Sequence, residues 1–142
     1  EESGRIRELA AENKVAYISM VAPTSKERIQ KIAADATGFL YCVSSLGVTG
    51  VRSTLPADIG TFLEDVKAAA SIPVAVGFGI STSEQVEVLK EHSDGIVIGS
   101  AIVNKIGQLE QVLLNKDTRR DGLNQIEEYV ASIVSPIQKC EV

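Results

Sequence analysis

The stretch Pro73-Val74-Ala75-Val76-Gly77-Phe78-Gly79-Ile80-Ser81 and its counterpart Gly95-Ile96-Val97-Ile98-Gly99-Ser100-Ala101 decide the fold of this chain. In each, a short apolar, β-rich run ends on glycine and passes toward the start of a helical pattern. Without a Cβ, glycine lets an anion come close to the backbone, and the free N–H groups of a helix start supply donors and a favourable dipole. Taken singly, a Gly-x-Gly after a strand reads as a tight turn and a Gly-Ser at a helix start as a cap. Two such loops, one βα unit apart and on the last two strands of the pattern, form the phosphate site of many β/α barrels, beside a short extra helix. The segments Gly77 to Ser81 and Gly99 to Ala101 are therefore expected to meet and to offer backbone N–H groups to one anion. An open nucleotide-binding sheet would carry its glycine fingerprint after its first strand, and no GxGxxG occurs here.

Outward from these loops, Val15 to Val21, Phe39 to Val43, Pro73 to Val76 and Gly95 to Ile98 read as four buried strands. Helical patterns lie between them, carrying Ile29 and Ile32, then Phe62, Leu63 and Val66, then Val86 and Leu89 on their apolar faces. Thr24-x-x-Glu27 and Thr82-x-x-Gln85 match the capping box, in which a hydroxyl and a later Glu or Gln satisfy free amides at a helix start. Another pattern begins at Ser100-Ala101-Ile102-Val103. After a polar break from Asn115 to Asp121, a last amphipathic helix carries Leu123, Ile126, Tyr129, Val130 and Ile133. This alternation predicts an α/β fold with parallel strands and right-handed crossovers. With the glycine loops at its end, it predicts the C-terminal half of a (β/α)8 TIM barrel: four parallel strands with flanking helices, as one partial barrel unit over residues 1–142.

At 142 residues, 44% hydrophobic and 23% charged, the chain has the composition of one ordinary domain able to bury a core. No apolar run reaches the roughly 18 residues of a bilayer span, and Glu1-Glu2-Ser3-Gly4-Arg5 has none of the features of a signal peptide. A cytoplasmic protein with no membrane partner is expected. The sequence does not begin with Met, and Ile6, Leu9 and Ala10 already stand at helical spacing, so it reads as cut from something longer. Cys42 and Cys140 fit neither CxxC nor a Cys/His metal spacing, so no metal site and no disulfide framework are expected. A net charge of -5, with no basic stretch interleaved with aromatics, argues against nucleic acid. Any bound anion must then be held locally by backbone groups.

The longest connection, Ser44 to Ala57, has no helical period and follows the C-terminal end of a strand, which is the active face of a barrel. Its length reads as a mobile lid. Tyr41 lies near that same end of its strand. Cys42 reads as a small buried apolar residue. His92, the only histidine, reads as a solvated complement to a helix dipole, and Lys116 to Asp121 as a solvated interhelical loop.

Leu40-Tyr41-Cys42-Val43-Ser44 with Gly47-Val48-Thr49-Gly50, then Gly77-Phe78-Gly79-Ile80-Ser81 and Gly99-Ser100-Ala101-Ile102-Val103, resemble the tryptophan synthase α subunit. Val21-Ala22-Pro23-Thr24-Ser25 extends the resemblance over nearly the whole chain. The tyrosine with its Gly-Val-Thr-Gly loop is specific to that family, whereas the two glycine loops are shared with many phosphosugar barrels. The resemblance implies a lyase of tryptophan biosynthesis that cleaves indole-3-glycerol phosphate to indole and glyceraldehyde 3-phosphate. It implies no cofactor of its own, and a partner β subunit that carries pyridoxal phosphate. By position, Gly50, Gly79, Gly99 and Ser100 would hold the phosphate. Tyr41, Phe78 and Gly77 would line the indole pocket, and Gly47 and Thr49 would belong to the closing lid.

The family's general acid and base, a Glu and an Asp on early strands, fall outside this sequence, so no catalytic residue is assigned. Glu27, Asp58 and Glu84 all read as helix-start residues. The chain alone is expected to be inactive, and to associate with the missing N-terminal half or with a second copy of itself. Two other readings stay open. One is a different phosphosugar barrel, such as an indole-glycerol-phosphate synthase or a pentose-phosphate epimerase. The other is a non-catalytic half-barrel assembly module.

Overall fold

Helix α1 (Glu2–Glu12) leads to strand β1 (Ser19–Val21) and a 3-10 turn (Pro23–Arg28) that runs into α2 (Ile29–Ala34). Then follow β2 (Leu40–Val43), α3 (Ile59–Ala69), β3 (Val74–Gly77), α4 (Ser83–Leu89) and β4 (Gly95–Val97). Helices α5 (Ser100–Gln108), α6 (Glu110–Leu114) and α7 (Arg119–Gln138) close the chain. These elements come from a computed structural model that describes residues 2–43, 55–77 and 79–138. The strands form one parallel sheet in the order β1-β2-β3-β4. A doubly wound sheet reverses its strand order at a switch point, whereas a barrel adds each strand beside the last. The sequential order is that of a barrel segment.

The register sorts side chains into rows. Leu40 and Val74, and above them Val21, Cys42, Val76 and Ile96, face the helices. There they meet Ile29 and Ala33 of α2, Ile59, Phe62, Leu63 and Val66 of α3, Val86 and Leu89 of α4, and Ile133 of α7. Each fully buried side chain of this kind contributes on the order of 1.5–3 kcal/mol. Cys42 lies in this layer as expected, and burial pushes its thiol up to about 12. The alternate rows, Met20-Tyr41-Ala75-Gly95 and Val43-Gly77-Val97, occupy the opposite face, where Met20 is 60% and Val97 38% exposed.

Several boundaries differ from expectation. Only Ser19 to Val21 of the run from Val15 is a strand; β1 pairs with β2 alone, and Tyr17 is tied instead through its carbonyl, which accepts from Thr37 Oγ1 at 3.3 Å. The first helix start lies earlier than Thr24. Ala22 is the N-cap and Pro23 opens the 3-10 turn, with Ser25 at the third position: Ser25 N donates to Ala22 O at 2.8 Å and Ala22 N to Ser25 Oγ at 3.4 Å. The Glu27 side chain lies outside the described residues. Helix α7 begins at Arg119, inside the expected polar break. There Thr118 Oγ1 and Arg119 Nε each donate, at 2.9 Å, to the end carbonyls of α6 on Val112 and Leu113. Leu123 is 49% exposed and does not share the buried face of Ile133. Pro136 deprives the Ser132 carbonyl of its helical donor, and Ser135 Oγ donates to that carbonyl at 3.0 Å.

At the N-terminal end of the sheet, Asp94 joins β4 to β3. Its Oδ2 accepts from Val74 N at 2.8 Å, its own N donates to Val74 O at 2.8 Å, and Oδ1 pairs with Lys67 Nζ at 2.9 Å. The Val74 amide and then Lys67 hold the Asp94 carboxyl below the usual carboxylate range. A depressed value means that its stabilisation is present above the unfolded value of about 3.9 and is lost as the pH falls through the lower folded value. Asp94→Ala is expected to cost about 1–2 kcal/mol near neutral pH, the lower figure reflecting the carboxylate's exposure. Urea unfolding of the two proteins from pH 7 to pH 2 checks this: the difference should shrink on acidification.

Candidate functional site

The site is built from the C-terminal ends of β3 and β4. Gly77 pairs with Val97 across two parallel strands, so the segments that carry Gly79 and Gly99, each two residues further along the chain, both follow the C-terminal end of the sheet. Gly79 has φ 79, in the left-handed region that favours glycine. Gly99 is the N-cap of α5 at φ -123 and ψ -76, and a Cβ built there would meet nothing within 4 Å. Packing therefore does not demand glycine at 99, and the space above its backbone is open. The Gly99 carbonyl accepts from Ile102 N at 3.0 Å and Val103 N at 3.1 Å. The amides of Ser100 and Ala101 thus lie in the first turn, where a helix offers no carbonyl of its own.

The expected box at α4 is present. Gln85 N donates to Thr82 Oγ1 at 3.3 Å and Thr82 N donates to Gln85 Oε1 at 3.1 Å. Gln85 Oε1 also accepts from Ser81 N at 2.8 Å. One expectation is corrected here: the Ser81 amide, read from sequence as a donor to the anion, is committed to Gln85.

On the open face, Tyr41 leans from its own row into the next, and its hydroxyl lies over Gly77. A Cβ at Gly77 would collide with that hydroxyl and stand 3.1 Å from Val97 Cβ. Gly77 is thus required by space rather than by backbone angle. Burial raises the Tyr41 phenol above its ordinary value. Gly77→Ala is expected to destabilise by about 1–3 kcal/mol, as overpacking does. Tyr41→Phe in that background should recover part of the loss, and a double-mutant cycle by urea unfolding measures the coupling.

A family model for the tryptophan synthase alpha chain matches residues 1–135. The chain belongs to the tryptophan synthase alpha chain family. The tryptophan synthase alpha chain of Geobacillus sp. (strain WCH70) is 53% identical over 138 residues, which cover 97% of this chain and 52% of that protein. That of Bacillus pumilus (strain SAFR-032) is 53% identical over 137 residues, or 96% and 51%. Among solved structures, the tryptophan synthase A-subunit of Pyrococcus furiosus superposes with a TM-score of 0.73 at 30% identity, over 93% of this chain and 50% of its own. A structure concerned with the mutual activation of the tryptophan synthase α2β2 complex of the same organism gives 0.73 at 32%, over 92% and 50%. The chain spans about half the length of these relatives. The fold is accordingly the expected one, four parallel strands with flanking helices from the C-terminal half of a β/α barrel of this family.

Of the residues that the family resemblance singles out, the structure brings Tyr41, Gly77, Gly79, Gly99 and Ser100 to one end of the sheet. Gly47, Thr49, Gly50 and Phe78 lie outside the described residues. Asp58 stands at the N-cap of α3, and Glu84 in the first turn of α4, where its own amide and the Thr82 and Ser83 hydroxyls hold its carboxyl low. His92 is not simply solvated at a helix end: its Nδ1 lies 3.2 Å from Glu64 Oε1 on α3, and its ring covers Gly60. No cluster of three metal-ligating side chains occurs among the described residues, and none of their helices is long and apolar enough to cross a membrane. Sequence reading missed the Tyr41–Gly77 contact and the Gln85–Ser81 bond. The first needs the strand register, and the second extends a capping box by one residue with no signal of its own.

Proposed function

We propose that this chain supplies the phosphate grip and the indole-pocket wall for cleavage of indole-3-glycerol phosphate to indole and glyceraldehyde 3-phosphate. The observation that supports the reading is the pairing of Gly77 with Val97 at the C-terminal ends of β3 and β4, with left-handed Gly79 and the α5 cap Gly99 following them and the Tyr41 hydroxyl over Gly77. With a net charge of -5, the chain attracts no dianion from a distance, so recognition rests on local amides at Gly79, Gly99 and Ser100, with Gly50 completing the set. Tyr41, Phe78 and Gly77 form the wall against the indole ring. Gly47 and Thr49 belong to a lid that closes over the substrate. The reaction uses no cofactor of this chain. A β subunit with pyridoxal phosphate takes the indole, in the cytoplasm. The chain acts as a single partial barrel unit that is completed by the remaining half.

Calorimetric titration of the chain with glycerol 3-phosphate tests this reading. A saturable heat that inorganic phosphate competes away, and that glycerol alone does not reproduce, is the expected result. Equal responses to glycerol and glycerol 3-phosphate would show that no phosphate site exists.

A further inference from the structure

We propose that Gln85 is a positioning residue of the anion loop, an inference that rests on the phosphate reading above. Gln85 is one of the few buried polar side chains among the described residues, 4% exposed. Buried amides are kept where their hydrogen bonds are made. A capping box needs a single bond from the N-cap amide to the side chain three residues on. Here the Gln85 oxygen takes the Thr82 amide at 3.1 Å and, in addition, the Ser81 amide at 2.8 Å, with the Ser81 hydroxyl at 3.5 Å. The extra bonds fix a residue outside the helix, on the β3 side of the cap. Ile80, the residue before, is 2% exposed and anchored in the core. The chain from Ile80 to Thr82 is thereby held at successive points, by apolar packing and by Gln85. The left-handed Gly79 is the next residue back, so its peptide is held by a clamp that touches no ligand.

Two consequences separate this role from plain helix capping. Thr82→Val removes the hydroxyl that caps Gln85 N and leaves the bonds to Gln85 Oε1 in place. Gln85→Met keeps the bulk and removes the acceptor, and Gln85→Asn, which withdraws the amide by one methylene, serves where the Met variant does not fold. In the 142-residue chain, inorganic phosphate binding is measured by titration and the exchange of the Ser81 and Thr82 amides by NMR. The wild type is expected to bind phosphate, and Thr82→Val to melt earlier with its Kd within about twofold of wild type. The Gln85 variants are expected to raise the Kd about tenfold, with faster exchange at Ser81 and the Gly99 and Ser100 signals in place. Wild-type phosphate binding with an unchanged Kd in the Gln85 variants would overturn the role of Gln85 alone, as would an equal loss in Thr82→Val. A wild-type chain that binds no phosphate would overturn the phosphate reading, and the positioning role with it.

Discussion

Mixed with the first half of a relative's barrel, the chain is expected to release indole from indole-3-glycerol phosphate; alone, it is expected to release none. The cleavage needs one group to protonate the indole ring carbon and another to move the substrate's N–H and hydroxyl protons, a task for paired carboxylates. Several carboxylates described in this half, Asp94, Glu84 and Glu64 among them, are engaged elsewhere. Asp94 precedes β4, at the end of the sheet opposite the glycine loops, and is bound to Val74 and Lys67. Asp58 and Glu84 are helix-start residues, and Glu64 pairs with His92 on the outer surface. The family resemblance puts the acid and base on early strands that this sequence does not include. Completion should also cover the open rows, Met20-Tyr41-Ala75 and Val43-Gly77-Val97, which barrels fill with side chains from neighbouring strands. An indole assay on the chain, on the complementary half and on their mixture checks this, with sedimentation to detect the pairing. Turnover by the chain alone would contradict the assignment of the acid and base to the other half.

Gly99→Asp is expected to move stability and phosphate binding in opposite directions. The position is exposed and a Cβ there has open space, so the substitution creates no clash. At an N-cap, an aspartate accepts from first-turn amides and favours the helix dipole, so stability should hold or rise by about 1 kcal/mol. The same carboxylate would take the donors meant for the phosphate and stand as a like charge within a few ångströms of it. A repulsion of about 3–4 kcal/mol at that range corresponds to at least a 100-fold loss of affinity. Gly99→Ala, equally free of clash, isolates the effect of bulk from that of charge. Thermal melts and glycerol 3-phosphate titration of both variants check the prediction. Undiminished binding by Gly99→Asp would place the phosphate elsewhere.

What the sequence made legible was whatever depends on neighbours in the chain. Phe62, Leu63 and Val66 recur on one helical face and are buried; the Thr82-x-x-Gln85 box closes as its spacing requires; Cys42 sits inside. Parallel strands followed from the alternation, and the choice of a barrel over an open sheet from the two glycine loops. What stayed hidden depends on partners distant in sequence. The run from Val15 looks like one strand, yet only three residues pair with β2, because pairing is set by the neighbour and not by the run itself. Pro23 turned an expected α-helix start into a 3-10 turn, as its fixed φ and missing N–H permit. Leu123 fits the apolar stripe of α7 but is half-exposed, because at this stretch it is Gly122 that is buried, against Leu113 and Val112 of α6. The steric need for Gly77 comes from Tyr41 on another strand, and no local pattern encodes it.

The most direct test of the account asks whether the ends of β3 and β4 act as one anion site. Amide-resolved NMR of the chain during titration with glycerol 3-phosphate provides it. The account predicts that the Gly79, Gly99 and Ser100 amides shift together along one saturation curve. The Ser81 amide, committed to Gln85, and the residues around Asp94 at the opposite end of the sheet should move far less. Shifts centred on any other surface, or glycine loops that titrate independently of each other, would contradict it.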